Sequence, residues 1–495
     1  MELLSPAGNV EKLKYCYIYG ADASYIGLKN FSLRVKADNF YEDEYKKVCE
    51  LKKQFPQKKL HCALNISFHN SEIDRLIQNL PYFKQYPIDA FIVQDLGIVP
   101  LLQKEFPNAQ LHLSTQASCM NREAVKVYKS LGFSRVVMGR EASLKEIAEI
   151  KDAVPDMEIE CFVHGAMCIA YAGRCLMSAY LNGRSAQSGF CSHACRWDYD
   201  ILAKGNEEES VYSDEARAVA QSGRLVLREH KRSDEYFPVY EGENFTAVLS
   251  SKDLCMIEHL AELKKAGVDS LKIEGRMKSA YYVAMITRAY RKALDALDGK
   301  ITDDEAKPFV DELYKASHRP FTTAFYFNKA NADETVCGAS DSPYNLVAQV
   351  GEKLSEEEEN NVLQKAHTLK TERENEYNSL CEKAKIAWDK RVEALPDKHL
   401  KTAEKIDGWE MYELTALNMI DGKSELEIVT PDIVSEKLDQ KDFVLINPGT
   451  GEIYNWVCDG HKAVIYTNKD LSVQGVLIRA KDEGYVEGQF RDPGR

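Results

Sequence analysis

AFIVQDLGIVPLLQKEFPNAQLHLSTQASCMNREAVKVYKSLGFSRVVMG, residues 90–139, decides the fold. AFIVQDL, QLHLST and RVVMG are short apolar runs of strand length, and NREAVKVYKSLG between the last two repeats its apolar residues at helical spacing. Strands joined by helical crossovers run parallel. The same alternation extends outward in both directions. ELLSP near the start, ASYIGL at 23 and LHCALNI at 60 precede it; EIECFVHG at 158 and VDSLKIEG at 268 follow, with the amphipathic ASLKEIAEIKDAV before the first of these. Eight strands within the first 275 residues fit a (β/α)8 TIM-like barrel, an α/β fold, better than the open doubly wound sheet that is the alternative.

One connection breaks the rhythm. An insertion spanning 166–250 separates the seventh strand from the eighth, and it opens with CIAYAGRCLMSAYLNGRSAQSGFCSHACRWDY, residues 168–199. In barrels of this kind the loops after the strands build the active site, so an unusual loop there is a site candidate. Its later part, GNEEESVYSDEARAVAQSGRLVLREHKRSDEYF, reads as a polar surface excursion.

The whole chain has 495 residues, 44% hydrophobic and 29% charged, which is ordinary for a folded globular protein. No signal-peptide pattern opens it and no run approaches the length of a membrane span, so a soluble, cytoplasmic protein is expected, with no membrane partner. Acidic residues outnumber basic ones by 78 to 64, a formal charge of -14, which argues against coating nucleic acid by bulk attraction. The barrel is expected over 1–300 and a connector over 301–350, holding the helical KSAYYVAMITRAYRKALDAL at their junction and the strand-forming HRPFTTAFYF. A charged helical arm is expected over 351–405, and a small C-terminal β-barrel domain over 406–495, where WEMYELTAL, SELEIVTP and DFVLINPGTGEIYNW carry short strands and turn signals.

Thirteen cysteines, an odd number scattered over a long chain, do not make a disulfide framework. Cys168, Cys175, Cys191 and Cys195 stand apart by their clustering. None forms the CxxC knuckle that opens most structural zinc sites, which disfavours zinc without removing it. Four soft thiolates suit an iron–sulfur cluster with loosely constrained spacing, and Ala172, Gly173 and Gly189 would let backbone amides approach its sulfides. Four free buried thiols are the remaining reading.

Glu160 and His164, at the end of the seventh strand, could form a general acid/base pair, or could serve the cluster or the fold. Arg174, Arg184 and Arg196 flank the cysteines, and Lys272, Arg276 and Lys278 sit at the end of the eighth strand. Both sets would face one mouth, where cations could hold a small dicarboxylate or RNA phosphates, or simply balance an anionic cluster. Glu274 and Gly275 before Arg276 put it at a strand-to-helix turn, where glycine permits close approach. Tyr171, Trp197 and Tyr199 could stack an extruded base, or pack a core.

ECFVHGAMCIAYAGRCLMS, residues 160–178, resembles the signature of the peptidase U32 family, the collagenase-like proteases. ELLSPAGN, GADASYIGLKNFSLRVKADNF, SSKDLCMIEHLAELKKAGVDSLKIEGRMKSAYYVA and SHRPFTTAFYF resemble the same family, over roughly residues 1–330. The KIEGRMKSAYYVA block and CRW most resemble its bacterial members that hydroxylate the tRNA wobble uridine to 5-hydroxyuridine; relatives hydroxylate a ribosomal RNA cytidine or ubiquinone precursors. The resemblance implies an RNA-modifying enzyme acting on tRNA or rRNA by oxygen-independent hydroxylation that draws on prephenate. It also implies a 4Fe-4S iron–sulfur cluster as cofactor, on Cys168, Cys175, Cys191 and Cys195, with zinc the alternative metal. Ala172, where relatives often carry Ser, and the enlarged segments near 203–234 and 351–405 bear on substrate identity. Proteolysis has little support from the residues, since neither HExxH nor GxSxG is present. The non-enzymatic alternative is a cluster- or zinc-stabilised RNA-binding or assembly protein.

Overall fold

The structure is a computed structural model that describes residues 1–28, 31–32, 39–168, 170–171, 174–182, 191–193, 195, 226–228, 236–238, 240–241, 246–247, 251–327, 342–382, 384–385, 405–421, 424–482 and 485. Two units divide the chain, Met1–Asp341 and Ser342–Glu487.

Every expected barrel strand forms. β1 (Glu2–Pro6), β2 (Ala23–Ile26), β3 (Lys59–Leu64), β4 (Ala90–Val93), β5 (Gln110–Leu113), β6 (Arg135–Val137), β7 (Glu158–Ala166) and β8 (Ser270–Ile273) lie side by side in that order. All neighbours run parallel, and β8 closes the circle by pairing with both β7 and β1. Helices cover the outside, and their starts are written in the sequence. Asn9 caps Val10–Ile18 by accepting the Lys12 amide at 2.9 Å, and Ser143 with Glu146 forms a capping box on Leu144–Ala153. Ala280–Leu297 is buried along most of its length, as a helix laid against β1 requires.

Two irregularities bring chemistry to the C-terminal ends of the strands. The β7–β8 register slips between Lys272 and Ile273, so that Lys272 pairs with Phe162 but Ile273 with His164. Beyond that slip a short antiparallel strand, Asp253–Cys255, pairs with His164–Ala166 and carries Phe321–Thr322 on its far side. Arg319 locks this corner: its Nε donates to Asp253 at 3.1 Å and its backbone N–H donates to the other carboxylate oxygen at 3.1 Å. Of the insertion, two short antiparallel pairs are described, 226–228 with 236–238 and 240–241 with 246–247; the polar excursion around 203–234 otherwise lies outside the described residues.

The second unit is one eight-stranded antiparallel sheet. Tyr344–Lys353 is among its inner strands, between Leu477–Lys481 and Glu410–Ala416, so the domain boundary falls at 341/342 rather than at the end of a 301–350 connector. The charged segment is a helix, Glu356–Ser379, but its first half is not a free arm. Val362 and Leu363 pack with Met411, Val444, Ile446 and Tyr466 on the sheet, and Glu359, paired with Lys405, is the charged residue buried with them. Residues 386–404 lie outside the described residues.

Candidate active site at the barrel mouth

The barrel interior is charged. Arg135, at the start of β6 and 2% exposed, donates from Nε to Glu158 at 2.8 Å, from Nη1 to Glu160 at 3.0 Å and from Nη2 to Glu2 at 3.3 Å. Glu160 in turn accepts the Lys272 ammonium at 2.6 Å. Burial alone would raise the Glu160 carboxyl, but Lys272 and Arg135 outweigh it and hold it below the usual range. Glu2, likewise buried and gripped by Arg135, is lowered to about 2. Burial pulls the Lys272 ammonium below the usual lysine range, against the opposing charge of Glu160. His61 of β3 and His112 of β5 face the same interior, with ring centroids 4.8 Å apart, and burial holds His61 neutral at about 4.

Toward the C-terminal ends, cations and aromatic rings alternate. Lys272 Nζ lies 4.6 Å from the Tyr25 ring centroid and 5.5 Å from that of Phe162. Arg276 Cζ lies 5.8 Å from Tyr25, and Arg140 Cζ 4.0 Å from Phe162. Two glycines make room for Arg276. A Cβ on Gly8 would meet its carbonyl oxygen at 2.2 Å, and one on Gly27 its Nη1 at 2.2 Å. Gly8 and Gly27 thus keep open the space that Arg276, just past the end of β8, occupies. Gly165, with φ of +104°, lets the Glu274 carbonyl approach to 2.6 Å of where its Cβ would be.

The other expected residues distribute as follows. His164 does not join Glu160: the register slip takes it out of the interior and into a cage of Tyr282, Tyr290 and Phe321, with centroids 5.4–6.0 Å away. Among the described residues neither of its ring nitrogens has a hydrogen-bond partner, and burial depresses it to about 3. Glu160, fixed between Lys272 and Arg135, is a positioning residue for Lys272. Lys278 turns away from Arg276 toward the Ser317 carbonyl at 3.3 Å and the Tyr282 ring at 5.1 Å. Arg174 donates from Nε to Ser118 beyond β5 at 3.4 Å, and Tyr171 is exposed on the same loop. Arg196, Arg184, Trp197, Tyr199, Ala172, Gly173 and Gly189 lie outside the described residues.

None of the four clustered thiols is in a disulfide; Cys168 is exposed and Cys175, Cys191 and Cys195 are half-buried, unlike the enclosed Cys16, Cys62 and Cys161. The segments bearing Cys175 and Cys191 are tied together, since Ser178 Oγ accepts the Ser192 amide at 2.9 Å. The His193 amide donates to Cys191 Sγ at 3.4 Å, the type of contact that stabilises a thiolate. The donor chemistry therefore suits a soft metal or an iron–sulfur cluster. Among the described residues, however, no three His, Cys, Asp or Glu side chains converge on one point that could hold a metal ion.

Arg140, Tyr25, Arg135, His61 and His112 are the site residues that sequence reading passed over. The first had a signal: Gly139-Arg140 ends β6 as Gly275-Arg276 ends β8.

These features define a (β/α)8 protein with a cationic, ring-lined C-terminal mouth and a four-thiol loop rising from β7. The chain belongs to peptidase family U32, whose model matches residues 8–336. It is 40% identical over 339 residues to "tRNA hydroxylation protein P" of Escherichia coli K12, covering 66% of this chain and 74% of that protein. It is 39% identical over 355 residues to "tRNA hydroxylation protein P1" of Bacillus subtilis 168, covering 70% and 76% respectively. It is 34% identical over 362 residues to the E. coli "23S rRNA 5-hydroxycytidine C2501 synthase", covering 71% of this chain and 48% of that one.

Proposed function

We propose that this chain is an RNA-modifying enzyme that hydroxylates a tRNA base, the wobble uridine to 5-hydroxyuridine, with prephenate as co-substrate and a 4Fe-4S cluster on Cys168, Cys175, Cys191 and Cys195. The observation that carries the reading is the 40% identity to an E. coli tRNA hydroxylation protein across 74% of its length. The mouth supports it chemically. A base extruded from RNA would meet rings there, and the two carboxylates of prephenate would meet Arg276 and Lys272, whose charges the interior already orients. Glu160, itself fixed by the Arg135 guanidinium, holds the Lys272 ammonium in place, so that it is aimed before any ligand arrives. When bound, a cluster at the four thiols would supply electron transfer or Lewis acidity beside that mouth.

The test is nucleoside mass spectrometry of tRNA and rRNA from a deletion strain complemented with this chain. Return of 5-hydroxyuridine in tRNA is expected. Identical nucleosides with and without the chain sink the reading. Iron and acid-labile sulfide in anaerobically purified protein, both lost in Cys191→Ser, are the expected cofactor result; stoichiometric zinc without iron would replace the cluster by the alternative metal.

A further inference from the structure

We propose that Arg140 is the oxyanion-binding residue of the mouth, taking a carboxylate or phosphate group of the bound substrate on a guanidinium laid against Phe162. Three observations carry this. Arg140 follows Gly139 at the C-terminal end of β6, the end where parallel barrels bind their ligands. Its Cζ lies 4.0 Å from the centroid of Phe162, a ring that is itself buried on β7. A guanidinium stacked at that distance is held flat by its face and leaves its edge of N–H donors free to meet a planar oxyanion in bidentate fashion. The side chain is half-buried, and among the described residues it has no ion pair and its Nε no hydrogen-bond partner. No ion pair joins it to its neighbour Glu141, whose carboxyl feels the Arg140 charge but whose Oε2 is buried without a hydrogen-bond partner among the described residues.

Phe162 also places Arg140 in register with the other cations. Lys272 Nζ is 5.5 Å from the same ring, and Tyr25 links Lys272 onward to Arg276. From the end of β6 through β7, β8 and Tyr25 of β2 to the turn after β8, the mouth therefore runs guanidinium, ring, ammonium, ring, guanidinium. Inside that series the paired carboxylate is Glu160, which Lys272 and Arg135 share. An oxyanion on Arg140 would be attracted by the whole row, while Phe162 excludes water from the face of the guanidinium that lies over it. A lysine at 140 could supply charge but neither the flat stack nor the fork.

This inference rests on the mouth being the reacting site, and binding rather than turnover tests it, so that its failure is distinct from failure of the hydroxylation reading. Wild type, Arg140→Ala and Arg140→Lys are titrated separately with prephenate and with an anticodon stem-loop RNA, and each variant is melted to show that it folds. Arg140→Ala is expected to weaken one of the two ligands at least about tenfold, as loss of a charge-assisted bidentate contact does, with Arg140→Lys restoring only part. Weakened prephenate binding with unchanged RNA binding assigns the oxyanion to the small acid. Weakened RNA binding with a salt slope smaller by about one assigns it to a phosphate. Unchanged binding of both ligands in a folded Arg140→Ala overturns the proposal, and full restoration by lysine overturns the role of the stack.

Discussion

Gly27 and Arg276 share one space: a Cβ on the glycine would stand 2.2 Å from the arginine Nη1 and 2.7 Å from Ser32 Oγ. The obstructing atoms, with Asn39 Oδ1 also at 2.7 Å, all belong to side chains and the nearest is the far end of a flexible one, so Gly27→Ala should fold and displace Arg276 rather than the backbone. The expected outcome is loss of most 5-hydroxyuridine in complemented cells with little change in melting temperature. Gly8→Ala meets the Arg276 carbonyl, which cannot swing away. It should cost about 1–3 kcal/mol, as overpacking does, and lower the melting temperature measurably. Equal melting temperatures for the two variants would contradict the geometry.

Glu160 and Lys272 should behave as a unit. Glu160→Gln leaves a buried ammonium beside Arg135 and should cost about 3–5 kcal/mol in guanidinium unfolding. Lys272→Met should cost less, because Glu160 keeps Arg135. The double variant should recover part of the loss, a coupling that a double-mutant cycle reads directly.

Stability should fall in mild acid. Burial lowers His61 to about 4 and His164 to about 3 from 6.5, so the unfolded chain takes up their protons first as pH drops. The stability they contribute is whole above about 6.5 and is lost as pH falls toward 4 and 3. Glu2, lowered from 4.5 to about 2, adds a loss of the same sign below 4.5. Urea midpoints at pH 7.5, 6 and 5 should decline, and His61→Gln with His164→Gln should flatten the decline; an unaltered slope in the double variant assigns it to other groups.

Thiol chemistry should separate two populations. Iodoacetamide on the native apoprotein should label Cys168, Cys175, Cys191 and Cys195, with the exposed Cys381 as internal reference. Cys16, Cys62 and Cys161 are enclosed, their thiols pushed up to about 12 by burial, and should react only after unfolding. Cluster-loaded protein should protect the first four and leave Cys381 reactive; labelling of all four in iron-loaded protein would remove them as ligands.

The barrel was legible because each strand is a short apolar run between helical patterns, from ELLSP to LKI, and period and spacing alone identify such runs. Its charged interior was not. Beyond Glu160 and Lys272, Arg135 and His61 alternate with apolar residues as a half-exposed strand would, and only closure of the sheet turns that face inward. His164 shows the opposite failure. A period of two from Glu160 through Phe162 would place it inside, and the slip at Lys272/Ile273, which no local signal announces, moves it to the aromatic cage. The boundary at 341/342 was hidden because Tyr344–Lys353 finds its partners only far along the chain, at 410–416 and 477–481.

Closure of the circle by β1 and β8 sets a timetable for synthesis. Glu2 pairs with Ser270 and is gripped by Arg135, so β1, made well before β8, waits with that edge unpaired until the whole insertion and the eighth strand have emerged. At elongation rates of about 5–20 residues per second that wait lasts tens of seconds for β1 and a shorter time for β7, during which each is an open template for wrong pairing. A nascent chain stalled before residue 270 should therefore be a chaperone client, and one released past 297 should not.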